Sequence, residues 1–176
     1  MPKCLSNIRE MSKIIFLIRH AKSSWDDPAI LDFDRPLNER GKKDAPVMAK
    51  KLRDKKIKID AFLSSPAKRA RQTCRYFAKE FDFKKKEIIL EPELYEAGEE
   101  NFLKVVENLK KKWHNVALVS HNPGITSFAN SLTQTRVDDM PTCSVFAVKI
   151  DADKWEDLRT GEKEFLFFEY PRPDAN

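Results

Sequence analysis

Short apolar runs alternate with amphipathic stretches along the chain, and this alternation predicts a layered α/β domain. The first run, residues 13–18 (KIIFLI), is apolar at nearly every position, as expected of a strand buried on both faces of a sheet. Further strands are predicted at residues 59–63, 87–91, 115–119, 144–150 and 164–169. Helices with one apolar face are predicted at residues 39–54, 66–81, 99–111 and 124–132.

Two helix starts carry recognisable capping residues. Asn38 is predicted to cap the first helix. Pro46 lies inside that helix, and because an interior proline costs about 3 kcal/mol we expect a late start or a kink there. Ser65 followed by Pro66 predicts that the second helix begins with Ser65 as its cap.

The composition is that of a globular protein, since 35% of the 176 residues are charged and 41% are hydrophobic. No run of about 18 apolar residues occurs, so we expect no membrane span and no membrane partner. The first twelve residues lack the apolar segment of a secretory signal. Residues 1–11 are predicted to be an extension, with Met11 as an alternative start, in front of a single domain over residues 12–176.

The charge distribution bears on nucleic-acid binding, and the cysteines bear on the redox compartment. The net charge of +5 comes from scattered basic residues, which are typical of solvated helix faces, so we expect no nucleic-acid partner. Cys4, Cys74 and Cys143 form no CxxC pair and are odd in number, which favours a reducing cytoplasm. Cys74 lies on the apolar face of a predicted helix and is expected in the core.

Three of the predicted strands end in polar residues that no core requires. Arg19-His20 follows the first strand, Ser64-Ser65-Pro66 and then Arg69 follow the second, and Ser120-His121 follows residues 115–119. If these strands are parallel, their carboxyl ends share one edge, which is where ligands bind in open α/β sheets. Arginine pairs two phosphate oxygens at once, and a neutral imidazole is a competent nucleophile. The pattern predicts a phosphate site.

Each of these residues taken alone has a simpler interpretation. Arg19 could pair with a surface carboxylate, Arg69 could be a solvated helix residue, and His20 or His121 could be structural. His114 has no partner in the pattern and is expected in a loop or on the surface. The phosphate site therefore depends on the combination of these residues.

Four segments carry a resemblance to a known family: IRHAKSSW at 18–25, RPLNERGKKDA at 35–45, SSPAKRARQT at 64–73 and VSHNPGI at 119–125. Together, in this order, they resemble the histidine phosphatase superfamily, and most closely its SixA-type phosphohistidine phosphatases. The resemblance implies a phosphoglycerate mutase-like fold. That fold is a three-layer α/β/α sandwich with a mostly parallel central sheet and a site at the C-terminal ends of the strands.

The resemblance also implies catalytic roles for four residues. His20 matches the family's phosphorylated nucleophile, and Arg19 and Arg69 match its phosphate-binding arginines. His121 matches the second histidine, which hydrogen-bonds the transferred phosphoryl group. Ala21 follows His20 where many members have glycine, which is consistent with the SixA-like branch and argues against the phosphoglycerate mutases.

The proton donor to the leaving group is less clearly marked. Glu96 occupies the region where the family often places its acid, and Glu99 and Asp26 compete with it. A surface carboxylate remains the alternative for Glu96. Four further residues either line the pocket mouth or are structural: Lys22, Ser23, Trp25 and Arg35.

The expected function is a metal-independent phosphatase that needs no cofactor and acts through phosphohistidine at His20. A phosphohistidine-bearing protein is the leading substrate, and a small-molecule or sugar phosphate is the alternative within enzymes. A phosphoglycerate mutase is less favoured because the chain is too short for the enclosure that a mutase needs. From another class, the domain could be a phospho-ligand binding module without turnover.

Overall fold

The computed structural model describes residues 12–172, in which strands and helices alternate much as predicted. The strands are β1 (Ser12–Arg19), β2 (Ala61–Ser64), β3 (Ile89–Leu90), β4 (Asn115–Ser120), β5 (Val145–Asp151) and β6 (Lys163–Glu169). The α-helices are α1 (Glu39–Asp54), α2 (Lys68–Glu80), α3 (Glu99–Glu107) and α4 (Gly124–Leu132). Short 3₁₀ helices lie in the connections, at Asp32–Asp34, Lys85–Glu87, Pro92–Leu94 and Trp155–Arg159.

The strands form one sheet in the order β3-β2-β4-β1-β5-β6. The first four strands in that order pair in parallel, whereas β5 and β6 are antiparallel to their neighbours. Helices α1 and α2 cover one face of the sheet, and α3 and α4 cover the other. The predicted three-layer sandwich with a mostly parallel sheet is therefore confirmed.

Strand β1 is apolar at every position from Ile14 to Ile18 because it faces a core on both sides. Phe16 and Ile18 pack with the α1 and α2 side chains, and Ile15 and Leu17 pack with those of α3 and α4. All four are fully buried. Since successive strand residues point to opposite faces, a two-sided core requires an unbroken apolar run.

Helix α1 confirms its predicted cap, because the Asn38 side chain accepts a hydrogen bond from the Gly41 N–H at 2.9 Å. The predicted late start is wrong, since the helix begins at Glu39 with Pro46 inside it. Ala45 and Met48 on either side of the proline are buried. Tertiary packing of this face outweighs the local cost of the proline.

Strand β2 begins at Ala61, two residues later than predicted, and β4, β5 and β6 differ from their predicted bounds by one residue. Three other differences have a visible local cause. Helix α2 begins at Lys68 rather than Pro66, because the Ser65 hydroxyl accepts from the Ala67 N–H and holds a turn ahead of the helix. Helix α3 ends at Glu107, where a turn replaces its predicted last four residues. Strand β3 is only two residues long, since a 3₁₀ helix takes up the residues before it.

Cys74 is fully buried as predicted, and His114 is exposed. Residues 1–11 and 173–176 lie outside the described residues, so the N-terminal extension and the limits of a single domain stay predictions. Within residues 12–172, every helix is too short or too polar to cross a bilayer.

Candidate active site

Sheet topology brings the predicted site residues to one edge. Strand β4 lies between β1 and β2 and is parallel to both, with Arg19 opposite Ser120 and Ser64 opposite Val119. The pairing continues past the strand ends, because the His20 N–H donates to the Ser120 carbonyl at 3.0 Å. The residues that follow these three strands are therefore neighbours.

His20 presents an unprotonated nitrogen beside Arg69. Its Nδ1 lies 2.8 Å from the Ala21 carbonyl oxygen, which can only accept, so Nδ1 carries the proton and Nε2 keeps its lone pair. Nε2 accepts from Nε–H of Arg69 at 3.4 Å. Burial, with help from His121 and the nearby arginines, lowers the pKa of His20 to about 3. The ring is therefore neutral at pH 7.

His121 lies next to His20, with 5.0 Å between the ring centroids. Its Nε2 is 2.7 Å from the Ser65 hydroxyl, whereas its Nδ1 is buried and has no hydrogen-bond partner among residues 12–172. Burial and the charges of Arg69 and Arg19 lower the pKa of His121 to about 3. Both histidines are thus neutral. Nε2 of His20 has only the long contact with Arg69, and Nδ1 of His121 has no partner among the described residues.

Arg69 is buried in the first turn of α2, and a polar bridge sets its distance from β1. The Thr73 hydroxyl donates to the Arg69 carbonyl at 2.8 Å and accepts from the Ala21 N–H at 2.9 Å. This bridge joins the end of β1 to the start of α2. It holds the guanidinium of Arg69 beside the ring of His20.

Arg19, the last residue of β1, is held by the segment that precedes β5. One terminal nitrogen donates to Asp139 Oδ2 at 3.2 Å and to the Met140 carbonyl, while the buried Nε has no acceptor among the described residues. Cys143, in left-handed backbone with φ 64°, donates its N–H to the Arg19 and His20 carbonyls. This contact secures the segment before β5 against the end of β1.

The arrangement offers an anion two guanidinium groups, a neutral imidazole with an unprotonated nitrogen, and two buried nitrogens without partners among the described residues. Buried polar groups are normally hydrogen-bonded, so the unpartnered Arg19 Nε and His121 Nδ1 at one edge indicate a ligand site. A tetrahedral dianion has the charge and the acceptor oxygens for these donors. Across the described residues, no His, Cys, Asp and Glu side chains are grouped to hold a metal ion.

The carboxylates proposed as proton donors lie outside these contacts. Glu96, Glu99 and Asp26 are all exposed. Glu96 is in left-handed backbone with φ 52° and makes no side-chain hydrogen bond within the described part of the chain. It follows Tyr95, whose ring meets that of His121 edge-on at 5.6 Å. The loop thus passes the site, and the role of Glu96 stays a prediction.

All four residues predicted at the pocket mouth lie in the loop between β1 and α1, where Arg35 contacts both Ser23 and Trp25. Arg35 is buried and donates to the Ser23 hydroxyl at 2.6 Å and to the Ser24 carbonyl. Trp25 covers its guanidinium at 3.2 Å while 74% of the Trp25 surface stays exposed. Lys22 has an exposed side chain.

Asp32 and Tyr95 belong to the site, although the sequence did not point to them. Asp32 contacts Arg69 through its side chain and its carbonyl, and the Tyr95 hydroxyl donates to Asp32 Oδ2 at 3.1 Å. Ser65 was predicted as a helix cap and as one of the polar residues that follow a strand, but no role in the site was assigned to it. Its place directly after β2 is the signal that put it at the ligand edge, and the contact with His121 gives it a partner there.

A family model of the histidine phosphatase superfamily (branch 1) matches residues 15–102, half of the chain. The chain belongs to this superfamily. Arg19, His20 and Arg69 fall inside the matched segment, and His121 lies beyond it. An uncharacterized protein of Mycobacterium leprae is 28% identical over 167 residues, which cover 88% of this chain and all of that protein.

Solved structures share the architecture over nearly the whole chain. A protein described as a phosphohistidine phosphatase SixA from Agrobacterium tumefaciens has a TM-score of 0.74 at 28% identity, covering 90% of this chain and 99% of its own. A second SixA protein, from Nakamurella multipartitia, has a TM-score of 0.79, covering 91% of this chain and 96% of its own. Its 22% identity shows the fold alone. With the superfamily membership, these likenesses show a phosphatase with a phosphoglycerate mutase-like fold.

Proposed function

We propose that this phosphatase transfers a phosphoryl group first to Nε2 of His20 and then to water, and that its substrate is a phosphohistidine carried by a protein. The observation that carries the proposal is the lone pair of His20 Nε2, which faces the Arg69 guanidinium at 3.4 Å. The ring of His121 lies 5.0 Å from that of His20, and its Nδ1, like Nε of Arg19, has no partner among the described residues. These groups give a phosphate both a nucleophile and a charged binding site.

In the first step Nε2 of His20 attacks phosphorus, an N–P bond forms, and the bond from phosphorus to the leaving group breaks. Charge on the equatorial oxygens is stabilised by Arg19, Arg69 and the N–H of His121. The proton on His20 Nδ1 stays in its hydrogen bond to the Ala21 carbonyl. That bond orients the ring and stabilises the positive charge that develops on it.

In the second step a water molecule attacks the phosphohistidine. The N–P bond breaks, the electron pair returns to Nε2 of His20, and inorganic phosphate leaves as H₂PO₄⁻, with the oxygen and both protons of water. Because the pKa of the ring is held near 3, the imidazole returns to its neutral form. Neutral His20 is then ready to attack the next substrate.

The leaving group supports the substrate assignment. An alkoxide must gain a proton as it departs, whereas a phosphohistidine whose other ring nitrogen is protonated releases a neutral imidazole and needs no further proton. The carboxyl group that contacts the site, Asp32, is held ionised. Burial raises its pKa, but hydrogen bonds from Arg69, Tyr95 and Arg35 outweigh that effect and lower it. A site whose carboxyl group is ionised has no acid there to protonate a leaving group, and this suits a substrate whose leaving group does not need a proton.

The proposal is tested by trapping the intermediate. Wild type and His20→Gln are mixed with a radiolabelled phosphohistidine protein in EDTA, quenched in alkali and mapped by mass spectrometry. We expect label on His20 that survives alkali and is lost in acid, and no label or turnover in His20→Gln. Label on another residue, or unchanged turnover in the variant, would contradict the proposal.

Substrate class is tested by comparing kcat/KM for a phosphohistidine protein, an aryl phosphate and a sugar phosphate. We expect the phosphohistidine protein to be preferred by at least about tenfold, a difference of roughly 1.4 kcal/mol in transition-state stabilisation. Preference for the sugar phosphate would overturn the substrate assignment. Binding of all three without turnover would indicate a binding module. A cytoplasmic location remains part of this proposal.

A further inference from the structure

Asp32 binds Arg69 from outside the sheet edge through two separate acceptors. Nη1 of Arg69 donates to the Asp32 carbonyl oxygen at 2.5 Å, and Nη2 donates to Asp32 Oδ2 at 2.9 Å. The backbone and the side chain of one residue thus accept hydrogen bonds from both terminal nitrogens of the guanidinium, its end-on fork. Asp32 belongs to the 3₁₀ helix Asp32–Asp34, in the connection between β1 and α1.

The remaining edge of the Arg69 guanidinium points toward the nucleophile. A guanidinium carries five N–H groups in one plane, and Asp32 uses one from each terminal nitrogen. Nε–H and the second N–H of Nη2 lie along the adjacent edge, and Nε–H faces His20 Nε2 at 3.4 Å. A phosphoryl group on His20 therefore meets a free pair of parallel donors while Asp32 keeps its own pair.

Asp32 is itself held by two other side chains, Arg35 of the same loop and Tyr95 of a distant one. Its Oδ1 accepts from Arg35 at 2.9 Å, and its Oδ2 accepts from the Tyr95 hydroxyl at 3.1 Å. Tyr95 lies in the connection between β3 and α3 and packs edge-on against His121. Asp32 thus joins the loop after β1, the start of α2 and the loop before α3, although its side chain is 51% exposed.

We propose that Asp32 is a positioning residue that holds Arg69 by its end-on fork and so directs the other edge of the guanidinium at phosphate bound to His20. The inference rests on the proposed function, because that proposal assigns Arg69 to phosphate. Asp32 acts through Arg69 and touches neither the phosphorus nor the leaving group. It is distinct from Glu96, for which a proton-transfer role is predicted.

The direction in which phosphate affinity changes when Asp32 is removed separates a positioning role from two electrostatic alternatives. Asp32 is a negative charge beside an anion site, so by Coulomb's law alone its removal would tighten phosphate binding. If the carboxylate instead occupied the place of the substrate phosphate, its removal would also tighten binding. Positioning requires the opposite result, since a guanidinium released from its fork binds phosphate less well.

The test compares Asp32→Asn and Asp32→Ala with Asp34→Asn. Asp34 is exposed in the same 3₁₀ helix and makes no side-chain hydrogen bond or ion pair within residues 12–172, so its variant removes an equal charge without touching Arg69. The inhibition constant of inorganic phosphate, KM and kcat are measured on an aryl phosphate. Thermal melts check folding, and Asp32→Asn decides the matter if the alanine variant does not fold.

We expect Asp32→Ala to weaken phosphate binding about tenfold, the scale of one charge-assisted hydrogen bond, and to lower kcat/KM at least as far. Asp32→Asn should weaken it less, and Asp34→Asn should leave it unchanged or slightly tighter. Tighter binding in both Asp32 variants, a lower kcat with unchanged phosphate binding, or a change in melting temperature alone would each overturn the inference. A wild type that neither binds phosphate nor forms a phosphoenzyme would end the proposed function first, and this inference with it.

Discussion

The Ser65 hydroxyl and Nε2 of His121 lie 2.7 Å apart, just beyond the ends of the paired strands β2 and β4. Ser65 Oγ already accepts from the Ala67 N–H at 3.3 Å, so its own proton is available to His121. If it donates to Nε2, the proton of His121 resides on Nδ1, the buried nitrogen without a partner among the described residues. Ser65 would then select the tautomer that donates to phosphate.

Replacing Ser65 by alanine is expected to lower kcat/KM roughly tenfold, a loss typical of groups that orient a functional histidine. Ser64→Ala is the matched control, because Ser64 is equally buried but donates to the Ser65 carbonyl and not to the ring. Steady-state kinetics with an aryl phosphate measure the effect. Equal losses in both variants would reduce Ser65 to a packing role.

Arg69→Ala is expected to lower kcat by about 10²–10³, by analogy with the loss of one donor to a developing oxyanion. Arg75→Ala removes the same charge from an exposed position on the same helix and should be close to wild type. Comparing the two variants separates a direct contact from the general field of α2. A loss of less than about threefold in Arg69→Ala would argue against a direct contact with phosphate in the transition state.

Stability is expected to fall as the pH drops from about 7 to about 5, because the pKa of both His20 and His121 is lowered in the folded state. Unfolded histidines take up protons below their ordinary pKa of 6.5, whereas the folded ones stay neutral until about pH 3. Protons therefore favour the unfolded chain throughout this window.

Urea unfolding at pH 7 and pH 5 measures this dependence. In the double variant His20→Gln/His121→Gln the difference in unfolding free energy between the two pH values should shrink. Carboxyl groups with lowered pKa values, such as Asp32, act with the same sign only at lower pH. An unchanged slope in the double variant would show that the two rings titrate normally.

Glu96→Gln is expected to slow hydrolysis of an alkyl phosphate and to leave hydrolysis of a phosphohistidine protein unchanged, because only the alkoxide needs a proton. Glu99→Gln tests the competing carboxylate in the first turn of α3, which is equally exposed. Parallel kcat measurements on both substrates decide the role. An equal effect of both variants on both substrates would assign Glu96 to the surface carboxylates.

Sequence patterns predicted the layers of this fold because its central strands are short and buried on both faces. A strand such as β1 must be apolar at nearly every position, and the polar residues that follow it then stand out. The start of α2 was harder to predict, because the serine before it also contacts a histidine of the site. Ser65 caps a turn and contacts His121, so α2 begins later than the local signal of Ser65 and Pro66 predicts.

The sequence by itself determined that Arg19, His20, Arg69 and His121 stand at or after the ends of three strands, because strand ends are marked by local changes in polarity. Only the tertiary structure decided that β4 lies between β1 and β2, which places the rings of His20 and His121 5.0 Å apart. It alone brought Asp32 to Arg69 across 37 positions of sequence. Such a contact depends on how an aperiodic loop folds over the sheet edge, and no local pattern encodes that path.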